Sequence, residues 1–143
     1  MTSHKVQSSP QRQHVLSHAD FKAKIPARGV LLGLDVGSHI IGLALSNSGQ
    51  SIASPQPGLT RTNWAQDAHF LKTYITQNNV CGIVIGEPKT LKNEHGQAVD
   101  RILSFIDLLK KDVLTAADFL PLTLWDERLT TVAAEKEIFT ARQ

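Results

Sequence analysis

The stretch LLGLDVGSHIIGLALS, residues 31–46, holds two apolar runs separated by a short turn. Residues 30–35 form a continuous apolar run that ends in a carboxylate, which predicts a buried strand. Ile40–Ser46 follows the glycine-containing turn VGSH and is predicted to be the antiparallel hairpin partner. Asp35 therefore ends a strand, where it is either a turn residue or the first ligand of a site.

Strand and helix patterns alternate through the rest of the chain. A third strand between residues 51 and 62 contains Pro55 and Pro57, which place it at a sheet edge. Asn63 is predicted to cap a helix over residues 64–78, with Gln66 three positions on. The remaining predicted elements are a strand at 80–85, a helix at 97–111, a strand at 120–125 and a helix at 131–140.

The resulting order is β β β α β α β α, with hairpins first and strand–helix–strand units after them. Such units place their strands parallel in one sheet. This is the order of the ribonuclease H-like fold, an α/β architecture with a mixed five-stranded sheet and helices on both faces. We therefore expect that fold class.

Length and composition fit one domain in 143 residues, with 41% hydrophobic and 20% charged residues. Residues 1–28 carry five basic side chains against one acidic and are predicted to be a disordered basic extension. Residues 29–143 are predicted to be the folded domain. No apolar run is long enough to cross a bilayer. The single cysteine, Cys81, lies in an apolar stretch, which predicts a buried, inert thiol and is consistent with a cytoplasmic location.

Three predicted strand ends carry acidic residues. Asp35 ends the first strand, Glu87 follows the fourth, and Asp126 and Glu127 follow the fifth. If these strands are parallel neighbours, the acids meet at one edge of the sheet, where ligands gather in α/β proteins. Convergent carboxylates need a compensating cation, and oxygen ligands suit Mg²⁺ or Mn²⁺. We predict Asp35, Asp126 and Glu87 as metal ligands, with Asp35, Asp126 and Glu127 as catalytic residues.

Residues near these acids could bind a phosphate backbone. Gly37 allows close approach of the backbone, Ser38 adds a hydroxyl, and His39 lies in the same turn. A helix beginning after the fifth strand would offer N–H groups to a phosphate. The predicted substrate-binding residues are Gly37, Ser38, His39, Lys89, Arg128, Thr130 and Thr131.

Each of these residues also has an interpretation without function. Asp35 could form an Asx turn, and Glu87 could simply be exposed before Pro88. Asp126 or Glu127 could pair with Arg128, a purely structural ion pair. His39 and Lys89 could be solvated surface residues, and Thr130 or Thr131 could only cap the last helix.

The motifs LGLDVGSHIIGLALS, GIVIGEP, HGQAVDRILSFIDLL and LTLWDERLTTVAAE together resemble the YqgF/RuvX family. Members are described as pre-16S rRNA nucleases and are related to the RuvC Holliday junction resolvases. The resemblance spans about residues 30–139. It implies a ribonuclease H-like fold, cytoplasmic location and metal-dependent phosphodiester hydrolysis at the 5′ end of 16S rRNA. The family's first-strand acid falls on Asp35, and its acid pair falls on Asp126 and Glu127, followed by Arg128.

The sequence departs from the family pattern at three places. His39 and Ile40 stand where basic residues are common, and Glu87 is an added acid within Gly86-Glu87-Pro88. The sequence ends at Gln143, before the position where members continue into a helix with a further aspartate. We expect a domain without that helix and its carboxylate.

Three functions remain to be weighed. The first is a metal-dependent endonuclease acting on structured pre-rRNA. The alternatives on the same fold are a non-catalytic nucleic-acid-binding module or a resolvase acting on branched DNA. An actin-like phosphotransferase is disfavoured, because it needs two such domains and no P-loop motif is present.

Overall fold

Five strands form one mixed sheet in the computed structural model. It describes residues 15–87, 97–114 and 120–126, with the backbone alone at positions 87, 97–99 and 126. The strands are β1 (Val30–Val36), β2 (Ile40–Ser46), β3 (Ala53–Thr60), β4 (Val80–Glu87) and β5 (Leu122–Asp126). Their order across the sheet is β3-β2-β1-β4-β5. β2 is antiparallel to β1 and β3, whereas β1, β4 and β5 run parallel, which confirms the predicted mixed sheet.

The described residues include three helices: α1 (His18–Lys24), α2 (Trp64–Gln77) and α3 (Gln97–Asp112). The start of α2 agrees with the prediction, because the Asn63 side chain accepts a hydrogen bond from the Gln66 backbone N–H at 2.9 Å. This bond satisfies one of the backbone donors that a helix leaves unpaired in its first turn. Of the helices in the described ranges, none has the length and apolarity needed to cross a membrane.

The larger core lies between one sheet face and the helices α2 and α3. Alternate positions of the parallel strands face it, among them Leu32, Ile83 and Leu122, each fully buried. Leu71 of α2 and Phe105 of α3 close this layer from the other side. The apolar sides of α2 and α3 therefore pack on the central strands, which holds β1, β4 and β5 in place.

The opposite face carries a smaller core built from the N-terminal segment. Phe21 and Ile25, four positions apart, pack with Leu31, Val84 and Trp125. Residues 15–28 are therefore ordered, and the prediction of disorder is wrong for them. The prediction failed because α1 is one short helix whose stability comes from this tertiary contact and not from its own sequence. Residues 1–14 lie outside the described residues.

Residues before α1 also extend the sheet at β5. The Leu16 backbone N–H donates to the Leu122 carbonyl at 2.9 Å, and the Thr123 hydroxyl donates to the Leu16 carbonyl at 2.7 Å. Leu16 and Thr123 form a parallel bridge. The N-terminal segment thus covers an edge that would otherwise expose unpaired backbone groups.

Cys81 lies beside the smaller core and is partly buried. Burial raises the pKa of the Cys81 thiol above its ordinary value, and a weaker backbone hydrogen bond acts in the other direction. A raised pKa reduces the thiolate fraction at neutral pH, which agrees with an inert structural thiol. The helix predicted at residues 131–140 lies outside the described residues.

Candidate active site at the carboxyl edge of the sheet

The backbone brings three of the predicted acidic positions to one edge of the sheet. Leu34 of β1 pairs with Ile85 of β4, and Asp35 is the next residue along β1. Positions 87 and 126 are direct partners at the ends of β4 and β5. The premise of the prediction, parallel neighbouring strands, is therefore met at the carboxyl ends of β1, β4 and β5.

Strand alternation divides these positions between the two sheet faces. Leu34 and Val36 are buried in the larger core, between the sheet and the helices α2 and α3 (the α2–α3 core). Asp35 stands between them and so belongs to the opposite sheet face, on which α1 packs (the α1 face). In the register of β4 and β5, positions 87 and 126 continue the series of Ile85 and Leu124, which belong to the α2–α3 core. The three positions therefore share the edge of the sheet but not one face.

The Asp35 side chain is exposed and has no hydrogen-bond donor among the described residues. An Asx turn would require a nearby backbone N–H that donates to this carboxylate, and no backbone N–H in the described part of the chain does so. Its antiparallel partner is Gly42, where an added Cβ would lie 3.3 Å from the Asp35 Cβ. Gly42 thus leaves room beside the Asp35 carboxylate, and no hydrogen bond or ion pair from the described residues compensates the charge of that carboxylate.

The turn after Asp35 is tight and presents two polar side chains. The Gly37 N–H donates to the Ile40 carbonyl at 3.0 Å, and a Cβ at Gly37 would lie 2.7 Å from that oxygen. Ser38 and His39 are both exposed, and the Ser38 hydroxyl is hydrogen-bonded to His39 Nδ1 at 3.0 Å. The structure therefore brings the predicted substrate-binding residues of this turn together next to Asp35.

Arg61 also contacts this turn, although it is not among the residues predicted for the site. Its Nη1 donates to the Gly37 carbonyl at 2.8 Å, and its backbone N–H donates to the His39 carbonyl at 2.8 Å. The guanidinium carbon lies 5.8 Å from the ring centroid of Phe105. A signal was available, because Arg61 directly follows β3 and the hairpin order places that point beside the β1–β2 turn.

His18 and Trp125 meet at the end of β5, next to position 126. Their ring centroids are 4.5 Å apart, and His18 Nε2 lies 2.8 Å from the Leu124 carbonyl oxygen, within hydrogen-bond distance. This contact differs from the prediction, in which residues 1–28 are disordered. It ties the N-terminal segment to the strand that ends in Asp126.

The remaining predicted site residues cannot be placed by side chain. Glu87 and Asp126 are located by their backbone alone. Within the described ranges, no group of three or more His, Cys, Asp or Glu side chains is arranged to hold a metal ion. The predicted site residues that lie outside the described residues are Lys89, Glu127, Arg128, Thr130 and Thr131.

A mixed sheet of order β3-β2-β1-β4-β5, with an acidic residue near the carboxyl end of the central strand, defines the class of ribonuclease H-like proteins. The predicted fold class is confirmed. Residues 29–143 match a family described as "RuvX: Holliday junction resolvase". The chain belongs to this RuvX family.

Curated relatives support the same assignment. A protein of Roseobacter denitrificans is 36% identical over 123 residues, covering 86% of this chain and 74% of the relative. One from Cereibacter sphaeroides is 37% identical over 122 residues, covering 85% and 73%. One from Rhodobacter capsulatus is 36% identical over 122 residues, covering 85% and 74%. All three carry the name "Putative pre-16S rRNA nuclease".

Proposed function

We propose that this protein is a nuclease that hydrolyses phosphodiester bonds in structured RNA, with the 5′ end of pre-16S rRNA as its substrate. The observation that carries the proposal is Asp35, an exposed carboxylate without a described partner, near the carboxyl end of the central strand. Membership of the RuvX family and the names of the relatives supply the reaction class and the RNA. A cytoplasmic location belongs to the same proposal.

Divalent metal ions are general cofactors of ribonuclease H-like nucleases, and we propose Mg²⁺ or Mn²⁺ here. The donor chemistry fits, because Asp35 offers carboxylate oxygens whose charge no described side chain neutralises. Asp126 and Glu87, at adjacent strand ends of the same edge, are proposed as the further ligands, which requires coordination around the end of the sheet because Asp35 belongs to its other face. When bound, such an ion acidifies the attacking water and offsets charge on the phosphoryl oxygens.

The chain's own residues would position the nucleic-acid backbone at this edge. The Gly37 turn keeps Ser38 and His39 exposed beside Asp35, where hydroxyl and imidazole groups can bond to phosphate oxygens. Glu127 is proposed as a further catalytic acid. The additional proposed substrate contacts are Lys89, Arg128, Thr130 and Thr131.

The test is the variant Asp35→Asn, which keeps the shape of the side chain and removes its charge. We expect divalent-dependent cleavage of a pre-16S rRNA 5′ fragment to fall to background. The free energy of unfolding, measured with urea, should stay within about 0.5 kcal/mol of wild type, because the residue is exposed. Asp107→Asn, at an exposed acid of α3, is the matched control and should cleave normally. Retained cleavage by Asp35→Asn would refute the proposed site.

Branched DNA is a second candidate substrate, favoured by the description of the matching family as a Holliday junction resolvase. A four-way DNA junction assayed beside the rRNA fragment separates the two substrates. Cleavage of the junction alone would replace RNA by DNA in the proposal. Binding of either substrate without cleavage under any divalent ion would instead favour a non-catalytic nucleic-acid-binding module.

A further inference from the structure

Arg61 places a positive charge at the turn that follows Asp35. Its guanidinium donates to the Gly37 carbonyl at 2.8 Å, and Gly37 is two residues beyond Asp35. The Arg61 backbone N–H bonds to the His39 carbonyl on the other side of the turn. Two hydrogen bonds therefore fix Arg61 against the segment that presents Asp35, Ser38 and His39.

The ring of Phe105 restricts the guanidinium further. The guanidinium carbon lies 5.8 Å from the centroid of this ring, and Phe105 is only 1% exposed. The ring therefore cannot move away without disturbing the core. A guanidinium held by a carbonyl and an aromatic face has already lost most of its rotational freedom, so a ligand binding to it meets a small additional entropic cost.

The charge on Arg61 has no carboxylate partner among the residues whose side chains the structure describes. The side chain is partly exposed, and one of its N–H groups is used on Gly37. A guanidinium carries five N–H donors in a planar fork, so further donors are available for an oxygen-rich anion. A merely structural clamp on one carbonyl would not require this charge.

Asp35 belongs to the face on which α1 packs, whereas the Arg61 guanidinium lies on Phe105 of the larger core, at the same edge of the sheet. A nucleic-acid strand that crosses this edge would pass both side chains, and the fixed cation would offset the repulsion between its phosphates and the Asp35 carboxylate. We propose that Arg61 binds a phosphate of the nucleic-acid strand held at Asp35. The inference rests on the proposed function and adds to it a substrate-binding residue. Arg61 supplies fixed positive charge beside a turn in which His39 and Ile40 provide none.

The experiment measures binding without cleavage. The probe is a fluorescein-labelled RNA duplex with a single-stranded 5′ extension, titrated with the full chain in EDTA over a series of KCl concentrations. For wild type, the logarithm of the association constant falls linearly with the logarithm of the salt concentration. In Arg61→Gln, we expect the magnitude of this slope to drop by about 0.7 to 0.9, the value of one lost phosphate contact.

Two variants control for charge and position. Arg61→Lys keeps the charge and should keep the wild-type slope. Arg28→Gln removes an exposed arginine that precedes β1, at the opposite end of the strand from Asp35, and should also keep the slope. An unchanged slope in Arg61→Gln, even with a lowered melting temperature, would reduce Arg61 to a structural residue and overturn the inference.

A second measurement uses the wild-type protein and does not depend on how the variants fold. Bound RNA should protect Arg61 from phenylglyoxal, as read by mass spectrometry, while Arg28 stays reactive. Equal modification of Arg61 with and without RNA would overturn the inference.

The two proposals can fail separately. If Asp35→Asn still cleaves while Arg61→Gln shows the smaller salt dependence of binding, the proposed active site fails and the phosphate contact stands. Absence of any RNA binding by wild type would overturn both.

Discussion

Single residues at and near the β1–β2 turn determine the space around Asp35. Gly42 leaves room beside the Asp35 Cβ, and Gly37 permits the close approach of its own Cα to the Ile40 carbonyl. Arg61 then holds the turn from the end of β3. The shape of this turn therefore depends on two glycines and on the hydrogen bond from Arg61.

Gly37→Ala tests the tightness of this turn. The new Cβ would lie 2.7 Å from the Ile40 carbonyl oxygen, which is backbone and must shift. We expect a loss of about 1–3 kcal/mol in the free energy of unfolding, as for other overpacked positions, together with reduced cleavage. Urea unfolding and the rRNA cleavage assay measure the two effects.

Gly49→Ala is the matched control for this variant. A Cβ there would come no closer than 3.6 Å to another heavy atom, the Asn47 Nδ2, which is an ordinary contact. Its stability should be unchanged or raised by up to about 1 kcal/mol, because alanine restricts the unfolded chain. Equal stability of the two variants would contradict the turn geometry described for Gly37.

Among the elements, α1 is the one that packing creates. It has seven residues, too few for an isolated helix to be stable in water. Ser17 caps it by accepting a hydrogen bond from the Asp20 N–H at 3.1 Å, and Phe21 and Ile25 attach it to the sheet. Gly82 of β4 allows this contact, because a Cβ there would lie 2.9 Å from both the Phe21 and the Ile25 side chains.

Phe21→Ala tests whether the N-terminal segment is part of the domain. Phe21 is 3% exposed, and truncating a buried phenylalanine costs about 3–5 kcal/mol through lost burial and the remaining cavity. We expect the urea midpoint to fall accordingly. Lys22→Ala, at the exposed neighbouring position, should change the unfolding free energy by less than about 0.5 kcal/mol. A Phe21→Ala variant as stable as wild type would mean that α1 does not pack on the sheet.

At the scale of the whole molecule, the sheet has a buried centre, and its two edge strands, β5 and β3, are protected in different ways. β1 and β4 lie in the middle, with fully buried residues such as Leu32 and Ile83. β5 is bridged by Leu16, whereas β3 carries Pro55 and Pro57 and has only exposed and half-buried positions. The prolines lack N–H donors and so discourage pairing with another chain.

Native-state hydrogen exchange should follow this arrangement. Amides of β1 and β4 should exchange only through global unfolding, with free energies equal to that from urea denaturation. Amides of β3 should exchange faster, through local opening of an exposed edge. Two-dimensional NMR after transfer to D₂O measures both. Equal protection of β3 and β1 would contradict the view of β3 as a weakly held edge.

Much of the fold could be predicted from the sequence, because its signals are local. The apolar run at residues 30–35 became Val30–Val36, and the helix predicted over 64–78 became Trp64–Gln77. Asn63 caps α2 through the predicted interaction with Gln66. Periodicity and capping depend on residues a few positions apart, so they can be recognised without knowledge of the tertiary structure.

The candidate site was predictable in part, for the same reason. Asp35 at a strand end and the turn Gly37-Ser38-His39 are local features, and the parallel strands bring the backbone positions of Glu87 and Asp126 to the same edge. No local pattern indicates Arg61, because its acceptor on Gly37 is 24 residues away. The available signal was the hairpin order, which places the residue after β3 beside the β1–β2 turn. The ligand roles of Glu87 and Asp126 stay predictions.

The sequence by itself determined the order of the five strands with α2 and α3, the exposed-edge character of β3 and the position of Asp35 near the end of β1. Only the tertiary structure decided that residues 15–28 fold onto the sheet and that Arg61 stands against the turn after Asp35. His18 reaches Leu124 across 106 residues, and Arg61 meets Phe105 only after α3 has packed on the strands. Such contacts are absent from any short window of sequence, because burial between distant segments stabilises them.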